Sequence, residues 1–257
     1  EFRAAQNLSA VNSINWARIM AQIVYYFSSA LRLGAPDKSV AYAVPTGNFG
    51  DIFAGYVASK IGLPIERLII GTNTNDILTR FLETGEMQTS KVVPTISPAM
   101  DIQVSSNFER LLFDYFGRDG RAVSEVMTVF RQNGKMIATP EILKGIQKQF
   151  SAARLEDEGI KHQIKTTYEI SGVIVDPHTA VGLHAARTCT GDLSVPVVAL
   201  STAHPAKFPV AVEEAIGVYP KLPPSLTDLL DRPESFDILP NDLRVIQSFI
   251  RDRTSNL

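Results

Sequence analysis

Ser39-Val40-Ala41-Tyr42-Ala43-Val44 is an apolar run of strand length, broken at once by Pro45-Thr46-Gly47-Asn48-Phe49-Gly50-Asp51. From Ile52 to Ile61 the pattern becomes helical, and Gly62 and Pro64 close it. Arg67 to Gly71 is a second short apolar strand and Asp76 to Glu83 a further helix. Strands with no polar face, joined through helices, are those of a parallel sheet buried on both sides. The stretch therefore predicts an α/β fold with a parallel sheet flanked by helices.

Upstream, Ile19, Met20, Ile23, Val24, Phe27 and Leu31 recur at three- and four-residue spacing, which predicts one apolar helical stripe. Asn12 or Ser13 can cap its start, and Gly34 followed by Pro36 ends it. Downstream, helices are expected over Phe108 to Phe116, Ala122 to Asn133, Pro140 to Phe150 and Gln163 to Val173. Pro177 to Arg187 is a helix with Pro at a favourable first position after Asp176. Val195 to Ser201 is a third buried strand, and Ala206 to Ile216 a helix. A proline-rich stretch from Pro220 to Asn241 leads to a last amphipathic helix, Leu243 to Ile250. No linker divides the chain, so residues 1–257 read as a single domain.

The formal charge is −2, from 25 basic and 27 acidic residues, which supplies no broad pull toward nucleic acid or an anionic membrane. Cys189 is the single cysteine, so no intrachain disulfide forms, and no Cys/His spacing suggests a metal. A reducing compartment, the cytoplasm, is expected. There is neither a bilayer-length apolar run nor a signal-peptide pattern. The sequence opens on Glu1 rather than Met and enters a helix almost at once, as a piece of a longer protein would.

Three segments carry chemistry. In the 45–51 turn, two glycines let backbone N–H groups converge, and the following helix adds unpaired N–H groups and its dipole. A phosphate monoester suits that geometry; glycines at such turns also serve tight packing. The pattern is neither a P-loop nor a G-x-G-x-x-G fingerprint. Ser201-Thr202-Ala203-His204-Pro205-Ala206-Lys207-Phe208 follows another strand. Thr202 offers a hydroxyl, and His204 and Lys207 offer acid/base or anion-binding groups, or else a cap and an exposed charge. In the third segment Asn12 and Ser13 are caps or anion ligands, with Arg18 a turn and a half along the helix.

These segments occur in one series: NSINWARIMAQIVYYF (12–27), VPTGNFGD (44–51), TNTNDILTRFL (72–82), SPAMDIQVSSNFERLL (97–112) and STAHPAKF (201–208). The series resembles threonine synthases of the microbial and fungal type, pyridoxal-phosphate enzymes of the tryptophan-synthase-β-like fold. The resemblance implies that Gly47, Asn48, Phe49 and Gly50 hold the phosphate of pyridoxal 5'-phosphate and that Thr202 meets its pyridine nitrogen. It implies that Asn12, Ser13 and Arg18 bind the phosphate of O-phospho-L-homoserine, with Asp51 on the substrate side. Asp176 and His178 match an acidic-residue-plus-proline turn near the cofactor ring, although a helix cap explains Asp176 equally. The family's Schiff-base lysine lies in a Phe-Lys-Asp stretch that this sequence lacks, so no residue here is assigned as catalytic. The implied reaction gives L-threonine and phosphate, with the isolated chain expected to be inactive. A phospholyase releasing 2-oxobutyrate and a non-catalytic phosphate- or cofactor-binding fragment are the alternatives. The oligomeric state is left open.

Overall fold

The computed structural model describes residues 1–189, 191, 192 and 194–254. It forms two compact units, Glu1–Asn12 with Leu222–Leu257, and Ser13–Lys221. The smaller contains helix α1 (Phe2–Ala5), two 3-10 turns (Pro224–Leu226 and Leu229–Asp231) and a closing helix, Leu243–Thr254. There the Arg251 guanidinium lies 4.9 Å from the Phe2 ring, and Thr254 Oγ1 donates to Gln6 Oε1 at 2.5 Å.

The larger unit runs α2 (Trp16–Arg32), β1 (Val40–Pro45), α3 (Gly50–Ile61), β2 (Ile65–Thr72), α4 (Ile77–Thr84), β3 (Glu86–Gln88) and α5 (Phe108–Tyr115). It continues with α6 (Gly120–Asn133), β4 (Lys135–Ile137), α7 (Pro140–Gln147), β5 (Phe150–Arg154), α8 (Asp157–Ser171), α9 (Pro177–Cys189), β6 (Val197–Ala199) and α10 (Pro209–Ile216). The main sheet has the order β5-β2-β1-β6 and every pair is parallel. Short antiparallel β3 and β4 pair separately.

All six residues of β1 are buried. Val40, Tyr42 and Val44 join the core that includes residues of α2 and α3, while Ala43 joins the smaller cluster containing Ala185 of α9. Strand alternation sends these two sets to opposite faces, and the small side chain lets α9 come close. Gly55 of α3 allows a similar approach: a Cβ there would stand 2.5 Å from Tyr26 Cε1 and 2.9 Å from Leu68 Cδ2.

Four expectations require correction. The third strand, expected to be buried over Val195 to Ser201, is β6 (Val197–Ala199), which is half-buried because it ends the strand order of the sheet. Helix α2 begins at Trp16, and its cap is Asn15, whose side chain accepts from Ala17 N–H at 2.9 Å; neither Asn12 nor Ser13 caps it. Its buried residues are Ile19, Tyr26 and Ala30, whereas Met20, Val24 and Leu31 are exposed. The run is apolar on two faces, and Tyr26 wins the inner one because its hydroxyl finds partners there (below). The helix predicted from Pro140 to Phe150 stops at Gln147, and Phe150 instead opens β5 opposite Leu68. Burial of that ring among Phe49 and Tyr56 outweighs the local helical pattern.

Candidate functional site

β1 and β6 are parallel neighbours, so the turns that leave their carboxyl ends lie side by side. Ligands of parallel sheets gather at that edge. After β1, Phe49 takes the left-handed conformation (φ 61°) and Gly50 starts α3. None of the amides from Gly47 to Ile52 donates to an acceptor among the described residues. Helix geometry leaves the last three unpartnered; the turn adds the rest. These residues, with Ser13, Arg18 and Gln22, line a cavity of about 130 Å³. Such a set of donors at a helix start can hold an anion.

The turn is held in shape from outside. Ser105 Oγ donates to the Gly47 carbonyl at 2.8 Å, and Ser106 Oγ to Asn48 Oδ1 at 3.3 Å. Asn107 Nδ2 donates to both Asn48 O (2.9 Å) and Ser13 O (3.0 Å), and Asn107 N–H also reaches Asn48 O. Arg110 donates to the Ile14 carbonyl at 2.8 Å while stacking on Trp16. The 105–110 segment thus fixes the glycine turn and the approach to α2 together. Gly47 itself faces the 3-10 turn Pro98–Met100: a Cβ there would lie 2.6 Å from the Ala99 carbonyl oxygen.

A larger cavity of about 990 Å³ adjoins the first. Arg18, Gln22, Pro45 and Asp51 line both, and Ser201 and Thr202 line the larger one. Arg18 is exposed and its guanidinium is in no ion pair among the described residues. Asp51 is half-buried. Burial pushes its carboxyl up to about 6, against the hydrogen bond from Tyr26, whose hydroxyl donates to Asp51 O at 2.8 Å and lies 3.3 Å from Oδ1. Burial and the neighbouring Asp51 hold the Tyr26 phenol well above its usual range. Tyr42 continues the chain, donating to Tyr26 O at 2.7 Å. No lysine lines either cavity.

The other candidates fall elsewhere. Asn12 belongs to the smaller unit, whereas Ser13 opens the larger. His204 is exposed and caps the 3-10 turn Pro205–Lys207, its Nδ1 accepting from Ala206 N–H at 3.2 Å. Lys207 is exposed, with Nζ 6.0 Å from the Phe208 ring centroid. Asp176 and His178 are buried and line neither cavity. Burial works to raise the Asp176 carboxyl, but hydrogen bonds from His178 and Thr179 outweigh it and hold the group below its usual range. Among the described residues no group of three or more His, Cys, Asp or Glu could hold a metal, and no helix is long and apolar enough to cross a membrane.

Sequence reasoning from single residues missed Ser105, Ser106 and Asn107. Their signal is the 97–112 stretch, which has meaning only once the turn it grips is located. A third cavity of about 770 Å³ has Trp16, Phe53, Tyr56 and Arg131 in its wall and no residue of the glycine turn.

A buried parallel sheet whose carboxyl edge carries the glycine turn, a neighbouring hydroxyl turn and two joined cavities defines an α/β protein of the tryptophan-synthase-β-like class. Residues 179–250 match the family described as threonine synthase, C-terminal. Over 97% of its length the chain is 53% identical to a threonine synthase of Pseudomonas aeruginosa, covering 53% of that protein. It superimposes on a threonine synthase from Brucella melitensis, solved with PLP bound, with TM-score 0.95 and 51% identity, covering 98% of this chain and 54% of that one. The yeast threonine synthase structure gives TM-score 0.87 and 41% identity, covering 97% and 54%. The chain belongs to the threonine synthase family, and it spans about half the length of the relatives it matches.

Proposed function

We propose that this chain forms the phosphate-side wall of a threonine synthase active site in a cytoplasmic enzyme. That enzyme converts O-phospho-L-homoserine and water into L-threonine and phosphate. One observation carries the reading: a run of six backbone amides without acceptors among the described residues, Gly47 to Ile52, lines a cavity that opens beside Arg18, Asp51 and Thr202. The fit to pyridoxal 5'-phosphate rests on two ends of the cofactor meeting two strand ends. Amides of Gly47, Asn48, Phe49 and Gly50 suit its phosphate, and the Thr202 hydroxyl on the next strand's turn suits its ring nitrogen.

When bound, the cofactor supplies an electron sink for proton removals from the substrate amino acid. The chain's own residues do the rest. A neutral hydroxyl at Thr202 can hydrogen-bond a ring nitrogen without protonating it. Arg18 lines both cavities and offers a planar, permanently charged fork to the leaving phosphate, with Ser13 beside it. Asp51 stands among these anions, and the burial that favours its protonated form limits repulsion of their charge. The lysine that holds the cofactor in this family comes from a Phe-Lys-Asp stretch not found in this sequence.

Arg18→Ala in the protein carrying this chain is expected to lower kcat/KM for O-phospho-L-homoserine by about 100-fold or more. A variant as active as wild type would remove Arg18 from the site. Product analysis by NMR completes the test: threonine is expected, and 2-oxobutyrate as the main product would assign a phospholyase instead.

A further inference from the structure

Asp176 is a buried acid that no step above uses. It is 0% exposed, and it precedes α9, where a single cap would need only the bonds from the His178 and Thr179 amides (2.9 and 3.3 Å). It makes more. Oδ1 lies 2.8 Å from His178 Nδ1, and Oδ2 accepts the Thr179 hydroxyl. The His178 ring is spoken for on both sides: Nε2 accepts from Ala99 N–H at 3.2 Å, so the ring proton sits on Nδ1 and faces Asp176. Ala99 is the residue whose carbonyl oxygen stops any side chain at position 47. An unbroken line of contacts therefore runs from Asp176 through His178 and Ala99 to Gly47.

The same hub touches the other turn. The His178 ring packs on Phe208 with centroids 4.7 Å apart, and Thr179 Oγ1 is 3.4 Å from Ser201 Oγ. Ser201 precedes Thr202, and Phe208 ends its motif. Two turns on separate strands, whose nearest ends in sequence are Asp51 and Ser201, thus share one buried carboxylate.

We propose that Asp176 and His178 are positioning residues, which set the spacing of the phosphate cradle by seating the 97–101 turn against Gly47. This rests on the reading of Gly47 to Gly50 as the cofactor-phosphate site. The hub acts only through shape, so its loss weakens ligands that carry the phosphate and spares those that do not.

The test titrates pyridoxal 5'-phosphate and pyridoxal, which lacks the phosphate, into the protein carrying this chain and its variants. His178→Phe keeps the bulk and the Phe208 contact but leaves Ala99 N–H without an acceptor. It is expected to weaken pyridoxal 5'-phosphate about tenfold and to leave pyridoxal unchanged. His178→Gln, which restores an acceptor, is expected to recover most of the loss. Should His178→Phe not fold, Asp176→Asn keeps a capping oxygen and is expected to lose about threefold for the phosphate-bearing ligand alone. Equal weakening of both ligands, or no rescue by Gln, would assign the pair a purely structural role and overturn the proposal. A wild-type protein with no preference for the phosphorylated ligand would instead overturn the cradle itself, and the positioning role with it.

Discussion

The turn after β1 and the turn after β6 sit at neighbouring strand ends, yet the first is sealed and the second is open. Thr46 and Phe49 are 4% and 1% exposed, and three consecutive side chains, Ser105, Ser106 and Asn107, bind the first turn's oxygens. Ser201 and Thr202 are exposed, and His204 spends its ring nitrogen on a local cap. The contrast follows from what each turn offers. Main-chain donors hold a fixed shape only if the surrounding carbonyls are tied down, whereas a single hydroxyl can rotate to meet its partner. In the proposed site, the phosphate end is built before any ligand arrives and the ring end is finished on binding.

The largest effect is expected at the sealed turn. Gly47→Ala places a methyl 2.6 Å from a backbone oxygen, which must move, and affinity for pyridoxal 5'-phosphate should fall by about 100-fold or more, measured by titration. An unchanged affinity would mean that the 97–101 turn is soft and the contrast false. Next comes the clamp. Asn107→Ala strips the side-chain donor from the Asn48 and Ser13 carbonyls and should cost about 2 kcal/mol in urea unfolding.

Asp51 joins the two cavities, and its effect on stability depends on pH. Its folded pKa of about 6 exceeds the ordinary 3.8, so between pH about 4 and 6 the folded state keeps a proton that the unfolded state releases. Stability from this group is full at the acid end of that window and is lost as pH rises through 6. Asp51→Asn should therefore raise stability at pH 8 by about 1–2 kcal/mol, allowing for its partial exposure, and flatten the slope across the window. Equal wild-type and variant profiles would place the carboxyl in water. The smallest effect is expected at the open turn: Thr202→Val should change unfolding free energy by less than about 0.5 kcal/mol. A larger loss would show that turn to be as braced as its neighbour.

Much of this architecture was legible beforehand, because β1 and the Leu68–Ile70 stretch of β2 are apolar and the glycine turn ends β1 abruptly. Periodicity failed where two helical faces were apolar, as at Met20 and Val24, and where a long-range aromatic contact overrode local pattern, as at Phe150. Of the candidate site, strand–helix junctions pointed to the 45–51 and 201–208 turns, while the role expected of Thr202 came from the family resemblance. The brace at 105–107 could not, since Ser-Ser-Asn is unremarkable until the carbonyls it serves are known. Asp176 illustrates the same limit: an acid before a proline reads as a cap, and only the fold reveals how many partners it gathers.

The donors of the glycine turn belong to the main chain. Short of proline, no exchange of side chain at position 48 deletes a donor, whereas a shift in the path of the chain disables several together. On the proposed reading, affinity is encoded as a contour rather than as an inventory of functional groups, and damaging substitutions are expected to concentrate at residues that never meet the ligand.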